Sequence, residues 1–224
     1  MSAASKVLFR SKAMPSAVPM RLVLASANEK KLVEIRALLK DLPVTVISLK
    51  QYPGIRGVEE DGTTFSENAV KKALDYAQQT GELTLAEDSG ICCDALEGAP
   101  GIFSARFAGP EQNDERNNEK LLNILEKVPD NCRGAHYTSA LALARPGTLI
   151  GVVEGHVYGA IIKKPAGKNG FGYDPLFYYH AFDATFGEVS AEMKNRVSHR
   201  AQAFKKFHSL LAGYLKSGRA ESSC

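Results

Sequence analysis

The chain has 224 residues, is 44% hydrophobic and 24% charged, and carries a formal net charge of +3. Lys6, Arg10 and Lys12, in an acid-free first twenty residues, account for that whole excess, so positions 21–224 are electrically balanced and charge alone does not mark a nucleic-acid binder. No apolar stretch nears the ~20 residues of a membrane span: the best one, Thr138 to Val153, is broken by Arg145 and Pro146.

Residues 1–20 fit a disordered tail, a start at Met14 or Met20, or an organellar targeting segment. A single domain is expected over 21–218. Leu22–Ala25 reads as a buried strand, and Leu32, Ile35, Leu38 and Leu39 place Glu29–Lys40 on a helix. Val44–Leu49 is a second strand. A loop over Lys50–Thr63 leads into Thr64-Phe-Ser-Glu67, the pattern of a capping box, with the helix stopping at Gly81. Leu83–Glu87 and Ile91–Ala95 read as two strands, Glu97–Pro110 as a loop and Glu111–Lys127 as a helix. Tyr137–Ala144, Pro146-Gly147 and Leu149–Val153 predict a hairpin, and Val157–Lys163 continues after a break at Gly155. Lys164–Asp174 is a glycine-bearing loop, Leu176–Tyr179 a strand and Ser198–Lys216 a final helix. Early βαβα units followed by a hairpin predict an α/β fold with a mixed sheet. Cys92, Cys93, Cys132 and Cys224 lack metal or redox spacing, which points to reduced thiols and a cytoplasmic setting.

Four segments carry chemistry. Ser26-Ala27-Asn28-Glu29-Lys30-Lys31 links a strand to a helix, where main-chain N–H groups and the helix dipole favour an anion; a plain N-cap with solvated lysines fits as well. Glu59-Glu60-Asp61, then Lys72 and Glu87-Asp88-Ser89, gather carboxylates of the kind Mg²⁺ takes beside substrate phosphates, although Glu59–Asp61 alone also fits a solvated loop. Charges straight after Leu83–Ala86 are expected at a wet strand terminus. Phe171 between two glycines, ahead of Tyr173 and Asp174, offers either a stacking ring or a core anchor. Lys194 with Ser198-His199-Arg200 puts donors at a helix start, fit for keto oxygens of a purine or for a solvated basic turn.

SANEKK, EEDGTTFSENAVKKA, LAEDSG, GAPGIFSARFAG, GFGYDP and SHR occur in this order from Leu22 to about Leu215. Together they resemble the inosine triphosphatase (Ham1/RdgB-like) family of non-standard purine nucleoside triphosphate pyrophosphatases. The resemblance implies an elongated mixed sheet flanked by helices, in two lobes with a central cleft, and a homodimer. It implies Mg²⁺-dependent hydrolysis, with Mn²⁺ as a substitute, of ITP, dITP, XTP and dXTP to monophosphate and pyrophosphate. It assigns phosphate and ribose to Ser26, Ala27, Asn28, Glu29, Lys30 and Lys31, with Lys72 on phosphate and Ser89 on substrate. Glu59 and Asp88 become metal ligands, and Asp88 the base. Phe171, Gly172, Tyr173 and Asp174 form the base-stacking loop, and Lys194, His199 and Arg200 read the base. Ala27, Glu87 and Met193 depart from the common pattern, which has Gly, Asp and an acid there. The competing readings are a Maf-like pyrophosphatase and a non-catalytic nucleotide sensor.

Overall fold

A computed structural model describes residues 20–26 and 28–221, with backbone alone for Lys30 and 217–221. Residues 1–19 of the expected leader, and Ala27, lie outside the described residues. Seven strands form one sheet in the order β2-β1-β3-β4-β5-β6-β7. They are β1 Met20–Ala25, β2 Val44–Ser48, β3 Thr84–Cys93, β4 Gly134–Arg145, β5 Thr148–Ile161, β6 Phe177–Tyr179 and β7 Ala184–Thr185. β1 runs parallel to β2 and β3, and every later pairing is antiparallel, so the sheet is mixed as expected. The helices are α1 Glu29–Leu39, α2 Phe65–Thr80, α3 Asp114–Ile124, α4 Ala191–Val197 and α5 His199–Glu221. None of the described helices is long and apolar enough to cross a membrane.

The period of two along β4 assigns the layers. Ala140, Ala142 and Ala144 face α2, whose Ala69, Ala73 and Ala77 recur every four residues; small side chains on both surfaces bring helix and sheet close. Leu141 and Leu143 face the other way, onto Phe204, Phe207 and Leu211 of α5 and Ile35 of α1. The capping box of α2 is complete: Thr64 Oγ1 accepts from Glu67 N at 3.1 Å, and Glu67 Oε2 accepts from Thr64 N at 3.3 Å. Burial of this largely apolar surface is the main favourable contribution to the fold.

Apolar packing is interrupted halfway along the long strands. One cluster gathers Leu22, Leu24, Leu85, Leu141 and Leu143, and a second gathers Ile91, Cys93, Tyr137, Val157, Phe177 and Phe186. Between them stand Glu87, Asp88, Ser89 and Gly90 on β3 and Thr138 and Ser139 on β4. This polar belt divides the molecule into two lobes and lines the cleft between them.

Two expectations are corrected. Leu83–Glu87 and Ile91–Ala95 are one strand, so Glu87 and Asp88 lie mid-strand and buried, not at a wet terminus. β3 pairs with β4 from Thr84↔Ala144 to Cys93↔Ala135, and a main-chain ladder is indifferent to the charges it carries once partners neutralise them. Gly155 does not break β5; it sits in register with Ser139, and a Cβ there would stand 2.2 Å from Ala203 N and 2.3 Å from His199 O, so it is where α5 crosses the sheet. The expected final helix is α5, and the short helix α4 stands before it. Ser198 is extended (ψ 159°), and its Oγ accepts from Ala201 N at 3.2 Å, capping α5.

Candidate active site

Glu87 and Ser89 point to one face of the sheet, and Asp88 to the other. On the first face Glu87 Oε1 accepts from Arg200 Nε at 2.6 Å and from Ser139 Oγ at 3.0 Å, while Lys31 Nζ lies 3.2 Å from Oε2. Burial opposes ionisation of Glu87, but Arg200 and Lys31 outweigh it and hold the carboxyl well below the usual carboxylate range. Arg200 also donates to Ser89 Oγ at 3.0 Å and to Glu34 Oε2 at 3.0 Å, and Lys31 donates to Ser89 Oγ at 3.0 Å. These acids raise the Arg200 pKa further, against the cost of burial.

On the second face Lys72 Nζ lies between Glu60 Oε1 at 2.8 Å and Asp88 Oδ1 at 3.2 Å, and Asn68 Nδ2 donates to Asp88 Oδ2 at 3.2 Å. Burial pushes the Asp88 pKa up, and Lys72 only partly offsets that. Asn68 Oδ1 also accepts from Gly62 N at 2.8 Å, which seats the acidic loop against α2.

The two faces communicate around the edge of β3. The β1 pairing ends at Ala25↔Ala86. The edge is covered again only at Ile91, whose N–H reaches Ser104 Oγ at 2.9 Å from the 3₁₀ segment Gly101–Arg106. The gap at Glu87–Gly90 therefore opens at the carboxyl end of β1, where the Ser26–Asn28 turn lies. That turn caps α1: Ser26 Oγ accepts from Asn28 N at 3.2 Å and Asn28 Oδ1 from Lys31 N at 3.2 Å.

The cleft continues from Ser89 between Phe171–Asp174 and His199–Arg200. Asp174 Oδ2 accepts from Lys194 Nζ at 2.6 Å and from Phe171 N at 2.9 Å. Burial raises the Asp174 pKa, and Lys194 opposes the rise. Gly170 has φ +74°, and a Cβ there would meet Asp174 Oδ2 at 2.0 Å, so the loop can close on its own carboxylate only with glycine at this position. The Phe171 ring has Lys194 Nζ at 5.0 Å and Arg200 Cζ at 5.2 Å from its centroid, within cation–π range. His199 stacks on Tyr137 at 4.7 Å, with 13° between the planes. Burial, then Arg200 and Lys194, push its pKa well below 6.5, which keeps the imidazole neutral at neutral pH, and its buried Nδ1 has no hydrogen-bond partner.

Of the residues singled out in the sequence, Asn28, Lys31, Ser89, Phe171–Asp174, Lys194, His199 and Arg200 line this cleft. Lys72 and Asp88 stand behind the β3 edge. Glu29 is exposed and pairs with Lys50. Glu59 is exposed, whereas Glu60 reaches Lys72. Ala27 lies outside the described residues, as does the Lys30 side chain. Sequence reasoning missed Glu34, Asp114 and Asn118, and placed Glu60 in the acidic loop without giving it a partner. The signal for Glu34 was its i+3 spacing from Lys31 on one helix face. Asp114 and Asn118 share a face of α3 by their i, i+4 spacing.

Two carboxylates converging on one ammonium, with burial disfavouring the charge of Asp88, fit a divalent cation. Among the described residues no group of three His, Cys, Asp or Glu is arranged to hold a metal. Mg²⁺ does not need one, because one or two carboxylates suffice when substrate phosphates and water complete its shell.

An open mixed sheet with buried cations on both sides of one strand edge defines a protein built around an anion-binding cleft. The chain belongs to the Ham1 family, whose model matches residues 22–210. It is 49% identical over 192 residues to the dITP/XTP pyrophosphatase of Desulforamulus reducens, covering 86% of this chain and 96% of that one. It is also 49% identical over 183 residues to the dITP/XTP pyrophosphatase of Geobacter sulfurreducens, covering 82% and 92%. A HAM1 protein from Coxiella burnetii superposes with a TM-score of 0.79 at 39% identity, over 87% of this chain and 99% of that one. The Staphylococcus aureus Ham1 protein gives 0.78 at 37% identity, with coverages of 87% and 99%.

Proposed function

We propose that this chain hydrolyses non-standard purine nucleoside triphosphates (ITP, dITP, XTP and dXTP) to the monophosphate and pyrophosphate. The observation that carries the reading is the gap at Glu87–Gly90. It sets Lys31 and Arg200 on one side of a strand edge and Lys72 with Asp88 on the other, so a polyanion entering there meets cations from both faces. The dITP/XTP pyrophosphatase names of the relatives agree with it.

Phosphoryl transfer asks a protein mainly for positioning and charge neutralisation. Lys31 and Lys72 bind and orient the phosphates. Water attacks the α-phosphorus, the bond to the β-phosphate oxygen breaks, and pyrophosphate leaves with the electron pair. Asp88 takes the proton of the attacking water. Its buried position raises its proton affinity above that of a free carboxylate, which makes it a better base once ionised. Asp88 with Glu59 or the adjoining Glu60 would hold Mg²⁺, which would supply neutralisation of the triphosphate charge.

Lys194 and Arg200 present donors to keto oxygens, and Phe171 presents its ring to the face of the base. The 6-amino group of adenine donates instead, and a site built for acceptors leaves its own polar groups unpaired against it. A homodimer is part of the same reading.

Pyrophosphate release with Mg²⁺ tests it, comparing ITP, XTP and dITP with ATP, GTP, CTP and UTP. The expected preference for ITP over ATP in kcat/KM is roughly 10²-fold or more. Equal rates on ATP and ITP would refute the base-specific reading, and no turnover of any substrate would refute the enzyme.

A further inference from the structure

The loop carrying Phe171 is held from a second direction, by α3, to which no role in the cleft has so far been given. Gly172 N donates to Asp114 Oδ2 at 2.8 Å, and Gly172 O accepts from Asn118 Nδ2 at 3.0 Å. The donor and the acceptor of one residue are thus taken by two side chains one helical turn apart. Gly172 has φ +63° and Gly170 φ +74°, so the Phe171 ring hangs between two left-handed residues. Its direction follows from how those peptides are turned.

α3 is itself fastened to the cleft wall. Asn117 Oδ1 accepts from Ala108 N at 2.7 Å, and Asn117 Nδ2 donates to Ala105 O at 3.0 Å. The next loop residue, Tyr173, donates its hydroxyl to Ser104 O at 2.8 Å on the same wall. Asn118 Oδ1 is buried without a hydrogen-bond partner. A half-satisfied buried amide costs stability, and the one contact its other end makes is with Gly172.

We infer that Asp114 and Asn118 are positioning residues for base binding: they form a latch that fixes the Gly172 peptide and so aims Phe171 into the cleft. Asp174 and Lys194 hold the near side of the loop from α4, and the latch holds the far side. Losing it frees the ring without touching Lys31, Lys72 or Asp88, so the penalty falls on nucleotide capture and not on the chemical step.

The inference rests on the proposed function for what the loop holds, and its test separates the two. The full chain and its Asp114→Ala, Asn118→Ala and Asp114→Asn variants are compared by hydrogen exchange over 170–174 and by steady-state ITP hydrolysis. Glu115→Gln is the control, since it removes an acid from the same exposed helical turn. Both alanine variants are expected to raise KM for ITP roughly tenfold with kcat within about threefold of wild type. Asp114→Ala also speeds exchange of the Gly172 amide. Asp114→Asn keeps an acceptor at Oδ1 and stays near wild type, as does the control. Unchanged exchange in Asp114→Ala removes the latch. Faster exchange with unchanged KM, or equal losses in kcat for Asp114→Ala and Glu115→Gln, removes its role in positioning. A wild-type chain that does not turn over ITP overturns the proposed function itself, before any variant is compared.

Discussion

Glu87 and Asp88 are adjacent in the chain and face opposite sides of the sheet, and their environments drive their acidities apart. Glu87 is depressed because Arg200 and Lys31 outweigh its burial; Asp88 is raised because burial outweighs Lys72. The linkage signs follow. The stabilising contribution of Glu87 is present above the ordinary carboxylate pKa and is lost as pH falls through its depressed folded value. That of Asp88 is present below the ordinary pKa and is lost as pH rises through its raised folded value, so ionised Asp88 costs stability at neutral pH. Asp88→Asn is expected to cut turnover by roughly 10²–10⁴-fold while keeping nucleotide binding. Glu87→Gln is expected to lower stability at pH 7 by about 3–5 kcal/mol, the cost of breaking a buried ion pair from one side. A thermal melt of Glu87→Gln checks this, and an unchanged Tm would show that Glu87 does not anchor Arg200 and Lys31. The acid limb of kcat/KM for the wild-type chain should lie above the ordinary aspartate pKa. A limb at or below it would show that Asp88 is not the group titrating.

At the scale of elements, the site depends on where α5 meets the sheet. Gly155 lets the start of α5 touch β5, and that contact delivers His199 and Arg200 to the cleft. Gly155→Ala would drive a Cβ into the Ala203 and His199 backbones, which have no flexible end to move. It is expected to cost about 1–3 kcal/mol of stability, as overpacking does, and to lower kcat/KM as well, because Arg200 shifts away from Glu87. Denaturant melts and ITP kinetics check it; an unchanged midpoint with unchanged kinetics would show that the helix can retreat freely. The capping box of α2, the hairpin of β4 and β5, and α1 were legible in the sequence because local patterns specify them. The continuity of β3 was not, since it comes from a ladder with β4, whose strand begins some forty residues further on. The short helix α4 ahead of Ser198 was missed because the seven residues Ala191–Val197 carry too little apolar period to be read locally.

At the scale of the molecule, the sheet begins at Met20, whose N–H donates to Pro43 O at 3.1 Å, and α5 closes over its first lobe. A chain starting at Met20 is expected to keep the Tm and the ITP kcat/KM of the full chain, because the family model matches residues 22–210. A loss of either would give residues 1–19 a part in the body. The cleft exists because both apolar clusters share the same long strands and leave a polar belt between them. On the proposed function, a purine triphosphate would lie along one strand edge, with the base toward the second lobe and the phosphates toward β1.

The six ordered motifs determined the family, the mixed fold and the residue types at the site, since those patterns are written in the chain itself. Only the tertiary structure decided which acid stands with which cation. It put Glu60 on Lys72 where Glu59 was expected near the metal, Glu34 and Glu87 on Arg200, and Asp114 and Asn118 on the base loop. Those pairings join residues far apart in the chain, Glu34 and Arg200 by 166 positions. They follow from the twist and crossing of packed elements, which no local spacing encodes.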